Sequence, residues 1–280
     1  MPVKVVTDSV ADLPPQVINE LGITVIPLDV RFGEKVYRDG IDLTTEQFYQ
    51  ELTRSKFFPV TSVPSPVTFA TAYDKLAEET DEILAVMLSS RLSATYEVAV
   101  QSIGLMKRQC RVEVIDSRCA VMSQGFLVIS AARAALAGAS LDEIIEIVRG
   151  NMPRVDMQAA FDTLEYLRRG GRIGAAQALL GAALRIHPLI TMKNGLVEPA
   201  GRTRSRAKAI EHLYRFAAQY KSIEEMAVEE AACPEDADIL VEKLGDLFPK
   251  ERIYRTKTTP VIGAHTGPGL LLVALMGDKQ

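Results

Sequence analysis

The stretch EILAVMLSSRLSATYEVAV, from Glu82 to Val100, indicates the fold class. It begins with an unbroken apolar run, which is typical of a strand that is covered on both faces of a sheet. Polar residues follow from Ser89 to Ser93, and the spacing of the apolar residues then becomes helical. A buried strand, a polar tip and a helix in this order form the repeating unit of an α/β fold.

The same order of elements recurs on both sides of this stretch. VKVVTDS (3–9) and ITVIPLDV (23–30) have the composition of strands, and a helical segment closed by Gly22 separates them. RVEVIDS (111–117) is again strand-like and precedes the apolar helical segment GFLVISAARAALAG (125–138). This alternation predicts a mostly parallel, doubly wound sheet in the first half of the chain.

Helix starts are marked by side chains that can accept hydrogen bonds from free backbone N–H groups. Thr44 stands before a helical segment, Ser65 is followed by Pro66, and Ser140 with Glu143 has the spacing of a capping box. Ligands of doubly wound sheets bind beyond the carboxyl ends of the strands, so we expect the polar strand ends to share one crevice.

The second half of the chain has a different pattern. We interpret NMPRVD (151–156) as a linker and divide the chain into an α/β domain of residues 1–153 and a second α/β domain of residues 154–280. Asn194-Gly195 is a strong hairpin signal, and with apolar runs near the C-terminus it predicts a mixed or antiparallel sheet. AAQALLGAALR (175–185) is among the segments with helical spacing.

Composition limits the classes of protein that fit. The chain has 280 residues, 48% of them hydrophobic, which is enough for two domains with their own cores. A net charge of -4 argues against a nucleic-acid partner. Cys110, Cys119 and Cys233 lack CxxC spacing and are odd in number, which fits a reducing compartment. Because neither a signal peptide nor a membrane span is apparent, we expect a cytoplasmic protein.

Signature motifs of common enzymes are missing from the sequence. It contains no GxxxxGK[ST], GxSxG or HExxH pattern. The histidines His187, His212 and His265 are distant from one another and from the cysteines, so a zinc site is not expected. No catalytic residue, metal or cofactor is therefore predicted.

Hydroxyl side chains instead gather at two helix starts. Thr61, Ser62 and Ser65 precede one helical segment, and Ser93 and Thr95 lie between a strand and another helix. Free N–H groups at a helix N-terminus attract anions, and nearby hydroxyls can donate to the same anion. Simple helix capping is the alternative interpretation of each segment.

Other polar residues admit both a functional and a structural interpretation. Arg172, Arg202 and Arg204 form either a positive patch suited to phosphate or an acidic partner, or a solvated surface. His265 lies in the glycine-rich PVIGAHTGPG (260–269), which we expect to turn as a loop, and it is a candidate base, metal ligand or anion holder. The aspartates of the TDS and IDS strand ends more often bond local backbone than act as an acid–base pair.

Seven segments, in this order along nearly the whole chain, resemble the DegV family of fatty-acid-binding proteins. They are VTDSVADLP, YRDGIDLTTEQFYQEL, PVTSVPSP, MLSSRLSATY, VIDSR, DTLEYLRRGGRIG and GAHTGPG.

The resemblance implies one long-chain fatty acid held between two α/β domains. Family members are similar to subunits of bacterial fatty-acid kinases, which take part in phospholipid metabolism. There the binding protein presents the acyl carboxylate to a separate ATP-binding subunit, an acyl phosphate forms, and transient membrane contact is possible.

The resemblance also assigns residues to this site. By the motifs, the carboxylate is held by Thr61, Ser93 and His265, with Ser62, Ala94 and Thr95 around them. Arg172 and Arg204, with Arg202 as an alternative to Arg204, fall at the phosphotransfer or partner surface, where His265 completes a positive rim.

The sequence departs from the family pattern at three positions. Ala94 stands where glycine is usual, so its methyl group could block close approach of the backbone to the carboxylate. Val63 replaces a common glutamine, and His187 stands where lysine is common.

Two other functions fit parts of the sequence. One is a hydrolase or transferase in which Ser93 is the nucleophile and His265 the base. The other is a sugar- or phosphate-binding domain that uses the same helix starts but leaves an apolar pocket unused.

Overall fold

The computed structural model describes residues 2–180 and 186–279. Its helices are α1 (Pro15–Leu21), α2 (Thr45–Arg54), α3 (Pro66–Leu76), α4 (Thr95–Ser102), α5 (Val121–Leu136), α6 (Leu141–Asn151), α7 (Glu165–Arg169), α8 (Arg206–Ala217), α9 (Pro234–Leu244) and α10 (Pro260–Thr266). Its strands are β1 (Lys4–Asp8), β2 (Thr24–Ile26), β3 (Asp29–Phe32), β4 (Lys35–Arg38), β5 (Val60–Ser62), β6 (Glu82–Met87), β7 (Arg111–Asp116), β8 (Val155–Ala160), β9 (His187–Lys193), β10 (Leu196–Thr203), β11 (Tyr220–Glu230), β12 (Ile253–Lys257) and β13 (Leu271–Lys279).

The first half contains the predicted parallel, doubly wound sheet, with strand order β2-β1-β6-β7. Strand β6 is central and apolar on both faces. Leu84 and Val86 pack against α5 and α6, whereas Ile83, Ala85 and Met87 pack against α3 and α4. This two-sided burial explains why the run in the sequence is unbroken.

A small antiparallel sheet, β4-β3-β5, was not predicted. The segment expected to form one strand at 23–30 is divided at Pro27, between β2 of the parallel sheet and β3 of the small sheet. Proline lacks the N–H that would continue a ladder, so the chain changes sheets there. Strand β5 of this sheet carries Thr61.

The second half contains the predicted mixed sheet, in the order β10-β9-β8-β13-β11-β12. All neighbouring pairs are antiparallel except β11 and β12. The Asn194-Gly195 hairpin is confirmed, and both residues have positive φ, at 50° and 79°, as a tight type I′ turn requires. Helices α8 and α9 cover one face of the sheet.

Helix α5 joins the two halves because it is apolar on more than one side. Leu127 and Val128 pack towards the parallel sheet, while Met122, Phe126 and Ile129 pack against the mixed sheet. A helix buried between two sheets cannot have a polar face, which accounts for its composition. The chain enters the mixed sheet at Val155, after 3₁₀ turns at Met152–Arg154.

The predicted helix starts at Thr44, Ser65 and Ser140 are confirmed, whereas the helix expected over 175–185 needs correction. Thr44 and Ser140 form the capping boxes of α2 and α6, and Ser65 caps α3. In the first part of the helix expected over 175–185, the chain forms 3₁₀ turns at Gly174–Leu179 instead. Residues 181–185 lie outside the described residues. No helix in the described part of the chain has the length and apolar character needed to cross a bilayer.

The segment Pro260–Thr266 is a helix, α10, rather than the expected loop. Its first N–H groups are bound by carboxylates from the other half of the chain. Thr259 N donates to Asp12 Oδ1 at 3.1 Å, and Val261 N donates to Asp39 Oδ1 at 3.3 Å. Thr259-Pro260 has the same pattern as the Ser65-Pro66 helix start, but the side chain of Thr259 makes no cap. The caps of α10 come instead from residues far along the sequence. The tight turn lies just after it, at Gly267 with φ 69°.

Asp12 also meets Glu229 in the buried junction between the two halves. Glu229 Oε1 accepts a hydrogen bond from Met122 N at 2.8 Å. Asp12 Oδ2 and Glu229 Oε2 are both buried, and neither has a hydrogen-bond partner among the described residues. Because the charge of Glu229 acts on Asp12, we infer that the two carboxyl groups are most stable when they share one proton. Burial raises the pKa of Glu229 to about 7, and burial with the charge of Glu229 raises the pKa of Asp12.

Stability should therefore fall as pH rises. The folded chain binds more protons than the unfolded chain between about pH 5 and pH 8, so the free energy of unfolding decreases over that interval. Burial also raises the pKa of Asp8 to about 6 and of Asp39 to about 7, which acts in the same direction. Glu229→Gln supplies an N–H in place of the shared proton. The free energy of unfolding of this variant should therefore fall by about 1–3 kcal/mol less over the same pH interval.

Urea unfolding at several pH values measures this change. Glu97→Gln, at an exposed position of α4, is the matched control and should keep the pH dependence of the original chain. The shared-proton interpretation is wrong if Glu229→Gln and Glu97→Gln show the same pH dependence.

Candidate functional site

An apolar cavity lies between the two halves of the chain, with about 770 Å³ of empty space, part of which is open to solvent. Most of the lining is aliphatic or aromatic, and both halves contribute to it. The apolar lining residues are Val10, Leu28, Leu88, Leu92, Ala120, Val121, Met157, Phe161, Leu167, Ile190, Met192, Val197, Val261, Ile262, Leu270 and Leu272. Such a lining, with few polar groups, is typical of a site for a largely apolar ligand.

Four polar side chains from four separate elements line the same cavity. They are Thr61 of β5, Ser93 before α4, Arg172 after α7 and His265 in the last turn of α10. Thr266 also lines it, but its hydroxyl donates to Ile262 O at 3.0 Å. The sequence therefore identified the four residues whose polar atoms remain candidates for a ligand.

His265 is fixed against Thr61 and is uncharged. Its Nε2 lies 2.8 Å from Thr61 Oγ1. Its Nδ1 is buried without a partner, against the backbone of Gly170, where a Cβ would lie 2.3 Å from it. Burial, and then the charge of Arg172, lowers the pKa of His265 to about 4. The expected positive rim thus receives no charge from His265 at neutral pH.

The hydrogen bond between His265 and Thr61 determines where the threonine proton points. We assign the imidazole proton to Nε2, because a buried acceptor without a partner is tolerated better than a buried N–H without one. Nε2–H then donates to Thr61 Oγ1, and the hydroxyl proton of Thr61 is free to donate to a ligand. His265 in this way positions the Thr61 donor.

Ser93 is supported by Thr95, whose hydroxyl lies 2.9 Å from Ser93 Oγ and which is fully buried. Ala94, between them, is exposed and has φ -74°, a conformation that any residue adopts. Ala94 is not among the residues that line the cavity. Ser62 is likewise outside the lining, because successive residues of β5 point to opposite faces.

Arg172 is held by the backbone. Its Nε donates to Leu92 O at 3.0 Å and its Nη1 to Gly170 O at 2.7 Å. These bonds fix the guanidinium beside His265 without neutralising it, since both acceptors are uncharged carbonyl groups. The site therefore has one positive charge in a defined place.

Arg202 and Arg204 are exposed and do not line the cavity. A neighbouring arginine, Arg206, was not among the residues proposed from the sequence. Arg206 Nε donates to Asp236 Oδ2 at 2.8 Å and Nη1 to Gly269 O at 2.7 Å. It thus fixes the turn that follows α10. The cap at Ser205 was the available signal, because it places Arg206 at the first position of α8.

The nucleophile–base pair required by a serine hydrolase is not formed. His265 Nε2 bonds Thr61, and the hydroxyl of Ser93 bonds Thr95. His187 bonds a different residue, Asp162, at 3.1 Å. The arrangement is suited to holding an anion by hydroxyl groups beside one fixed arginine.

Comparison with known proteins gives matches over the whole chain. A family model described as an uncharacterised protein of the DegV family matches residues 2–277. A DegV domain-containing protein of Streptomyces coelicolor is 38% identical over 278 residues, 98% of each chain. Protein DegV of Bacillus subtilis is 32% identical over 275 residues, 97% of this chain and 98% of its own.

Solved structures give the same result. A DegV family protein from Thermus thermophilus, described for its fatty acid binding, has a TM-score of 0.91 at 32% identity and covers 99% of this chain and 100% of its own. Bacillus subtilis DegV, described as a fatty acid binding protein, has a TM-score of 0.90 at 30% identity, with 99% and 100% covered. These matches extend over both sheets and confirm the family resemblance of the sequence, so the chain belongs to the DegV family.

Proposed function

We propose that the protein binds one long-chain fatty acid in the cavity, with the carboxylate at Thr61, Ser93 and His265. The observation that carries this proposal is an apolar cavity in which hydroxyl groups, a neutral imidazole and one fixed guanidinium come together. The fatty acid binding described for the Thermus thermophilus and Bacillus subtilis proteins supports it.

The acyl tail of the ligand provides most of the binding affinity, and the carboxylate determines the orientation of the bound acid. A tail of about 15 buried methylene groups gains roughly 12 kcal/mol at about 0.8 kcal/mol each. Association and ordering offset a large part of that gain. Thr61 and Ser93 donate to the carboxylate, and the charge of Arg172 favours an anion over an alcohol or a methyl ester. Neutral donors hold the carboxylate in place while its oxygen stays nucleophilic.

The next step of the proposal is presentation of the bound acid to a separate ATP-binding kinase subunit. A carboxylate oxygen attacks the γ-phosphorus of ATP, the bond to the β-phosphate oxygen breaks, and acyl phosphate and ADP result. The chain itself has no nucleotide-binding motif, so another subunit must supply ATP. The exposed Arg202 and Arg204 are suited to contact that subunit, and Arg172 is suited to the developing phosphate charge.

Transient membrane contact is the remaining part of the proposal, and the outer face of the small sheet is suited to it. Val36, Arg31 and Val60 lie side by side across its strands, and Phe57 is 63% exposed nearby. Exposed apolar side chains beside basic ones favour an anionic lipid surface. Thr61 lies on the opposite face of the small sheet, so only the thickness of this sheet separates the exposed surface from the proposed carboxylate site.

Thr61→Val combined with Ser93→Ala removes both hydroxyl donors at little change in volume. We expect the Kd for a long-chain acid to rise about a hundredfold or more, since hydrogen bonds to a charged group contribute about 1.5–3 kcal/mol each. Native mass spectrometry and titration of delipidated protein measure the change. Ser62→Ala, the neighbouring hydroxyl on the outer face, is the control and should bind normally. Unchanged binding by the double variant refutes the assignment of the carboxylate site.

Arg202→Gln together with Arg204→Gln tests the contact with the kinase subunit. We expect acyl phosphate formation by added ATP-binding subunit to slow about tenfold, with binding of the acid unchanged. Arg149→Gln, an exposed arginine of α6, should leave the rate unaltered. If the double variant and the control give equal rates, these arginines are not at the partner surface.

Phe57→Ser with Val60→Ser tests the membrane contact. Transfer of acid from vesicles that contain phosphatidylglycerol should slow several-fold, because the variant lacks the apolar side chains that would enter the membrane–water interface. Affinity for acid already in solution should not change. Ile239→Ser is the matched control, since Ile239 is 51% exposed on α9, in another part of the molecule. Equal transfer rates for the double variant and the control exclude this surface.

A further inference from the structure

The turn of the β9–β10 hairpin is fixed to the carboxyl end of the parallel sheet. Ser89 Oγ donates to Gly195 O at 2.8 Å, and Arg91 Nη1 donates to Asn194 O at 3.4 Å. Gly195 is buried, and a Cβ on it would lie 2.4 Å from Ser89 Oγ. Because the turn is bonded to the first half of the chain and has no room for a larger residue, it occupies one defined place.

Three basic side chains surround this turn, and we call Arg91, Arg118 and Lys193 the basic tip. A Cβ on Gly195 would lie 3.5 Å from Arg91 Cδ and 3.6 Å from Arg118 Cα, and Lys193 directly precedes Asn194-Gly195. All three are exposed, and none forms an ion pair with a carboxylate of the described residues. In a chain with a net charge of -4, this is a local concentration of unpaired positive charge.

The backbone of Arg118 is strained. Its φ of 53° lies in the left-handed region, which glycine, asparagine and aspartate adopt at lower cost than arginine. Its N–H donates to Asp116 Oδ1 at 2.9 Å, and Asp116 Oδ2 accepts from Ser90 Oγ at 2.6 Å. The guanidinium of Arg118, in contrast, has no hydrogen-bond partner within the described chain. The fold gains no polar contact from an arginine here, which indicates that the guanidinium acts on something outside the chain.

The basic tip lies next to the proposed carboxylate site. Arg91 is two residues before Ser93, so their Cα atoms are within about 7 Å of each other. Between them, Leu92 O accepts a hydrogen bond from Arg172 Nε at 3.0 Å. A partner that reaches the bound carboxylate therefore has the basic tip at the edge of its contact area.

The surroundings of the basic tip suit an acidic protein surface rather than a membrane. In the described chain, no large apolar side chain is exposed within 88–93, 116–119 and 192–196, the segments around the turn. A surface that enters the membrane–water interface needs exposed apolar side chains as well as basic ones. Basic side chains on a rigid turn instead complement acidic side chains of a protein and speed its correct approach.

We propose that the basic tip binds an acidic surface of the ATP-binding kinase subunit. The inference rests on the proposed presentation of the acid to that subunit, and it adds a second contact to the one at Arg202 and Arg204. Arg202 pairs with Pro188 at the other end of the same hairpin, five residues from Lys193, or about 17 Å. A typical interface of about 800 Å² per partner is about 30 Å across, so one subunit can cover both ends.

A variant that combines Arg91→Gln, Arg118→Asn and Lys193→Gln removes the three charges. We expect the Kd between the acid-loaded chain and the ATP-binding subunit, measured by titration calorimetry, to rise about tenfold. The KM for the loaded chain in acyl phosphate formation should rise with it, with kcat and the Kd for the acid unchanged. Salt should weaken subunit binding by the original chain more than by the variant. Arg118→Asn alone should unfold at the same urea concentration as the original chain or a higher one, because asparagine tolerates the left-handed backbone.

The matched control combines Lys107→Gln, Arg149→Gln and Lys221→Gln, which remove three exposed charges from other parts of the molecule. Equal subunit binding by the two triple variants overturns the inference. So does a loss confined to vesicles that contain phosphatidylglycerol, which would assign the basic tip to lipid. An original chain that binds acid but not the subunit also overturns it and leaves fatty-acid binding intact. A chain that binds no acid refutes the proposed function instead.

Discussion

The clamp on helix α10 is the interaction on which the rest of the site depends. Carboxylates of Asp12 and Asp39, from the first half of the chain, bind the N–H groups at its start. At its other end, His265 bonds Thr61, again from the first half. A helix of seven residues would not be stable alone in water. The contacts that stabilise it are the same ones that hold the two halves of the chain around the cavity.

This clamp also determines the electrostatics of the cavity. The carboxyl groups that hold α10 are buried, and their pKa values are raised, so they carry less negative charge near the site than exposed aspartates would. His265 is buried and neutral. Arg172 is consequently the one charged side chain among the described lining residues at neutral pH. An apolar cavity with a single fixed cation selects a molecule with one anionic end and a long apolar remainder.

How far the sequence predicted the structure depended on the distance between interacting residues. Helix starts capped from within three residues, as at Thr44 and Ser140, were predicted correctly. Helix α10 was not predicted, although Thr259-Pro260 is a local start signal, because the flanking glycines indicated a loop and its capping aspartates are more than 200 positions away. Thr61 and His265 were identified by motif, yet their contact and the loss of charge on the histidine follow from packing alone. Ser62 lies outside the cavity lining, because successive residues of β5 point to opposite faces, and the sequence motif does not show this alternation.

A site built from both halves couples ligand binding to stability. Deprotonating the buried carboxyl groups of the junction destabilises the fold at neutral pH, because each is transferred from water to an environment that disfavours its charged form. A ligand that contacts both halves and binds only the folded chain adds about 2.7 kcal/mol at a hundredfold excess over its Kd. That gain is of the same order as the destabilisation from a single raised carboxyl pKa. A ligand bound in the cavity would therefore offset the destabilisation that arises in the junction between the two halves.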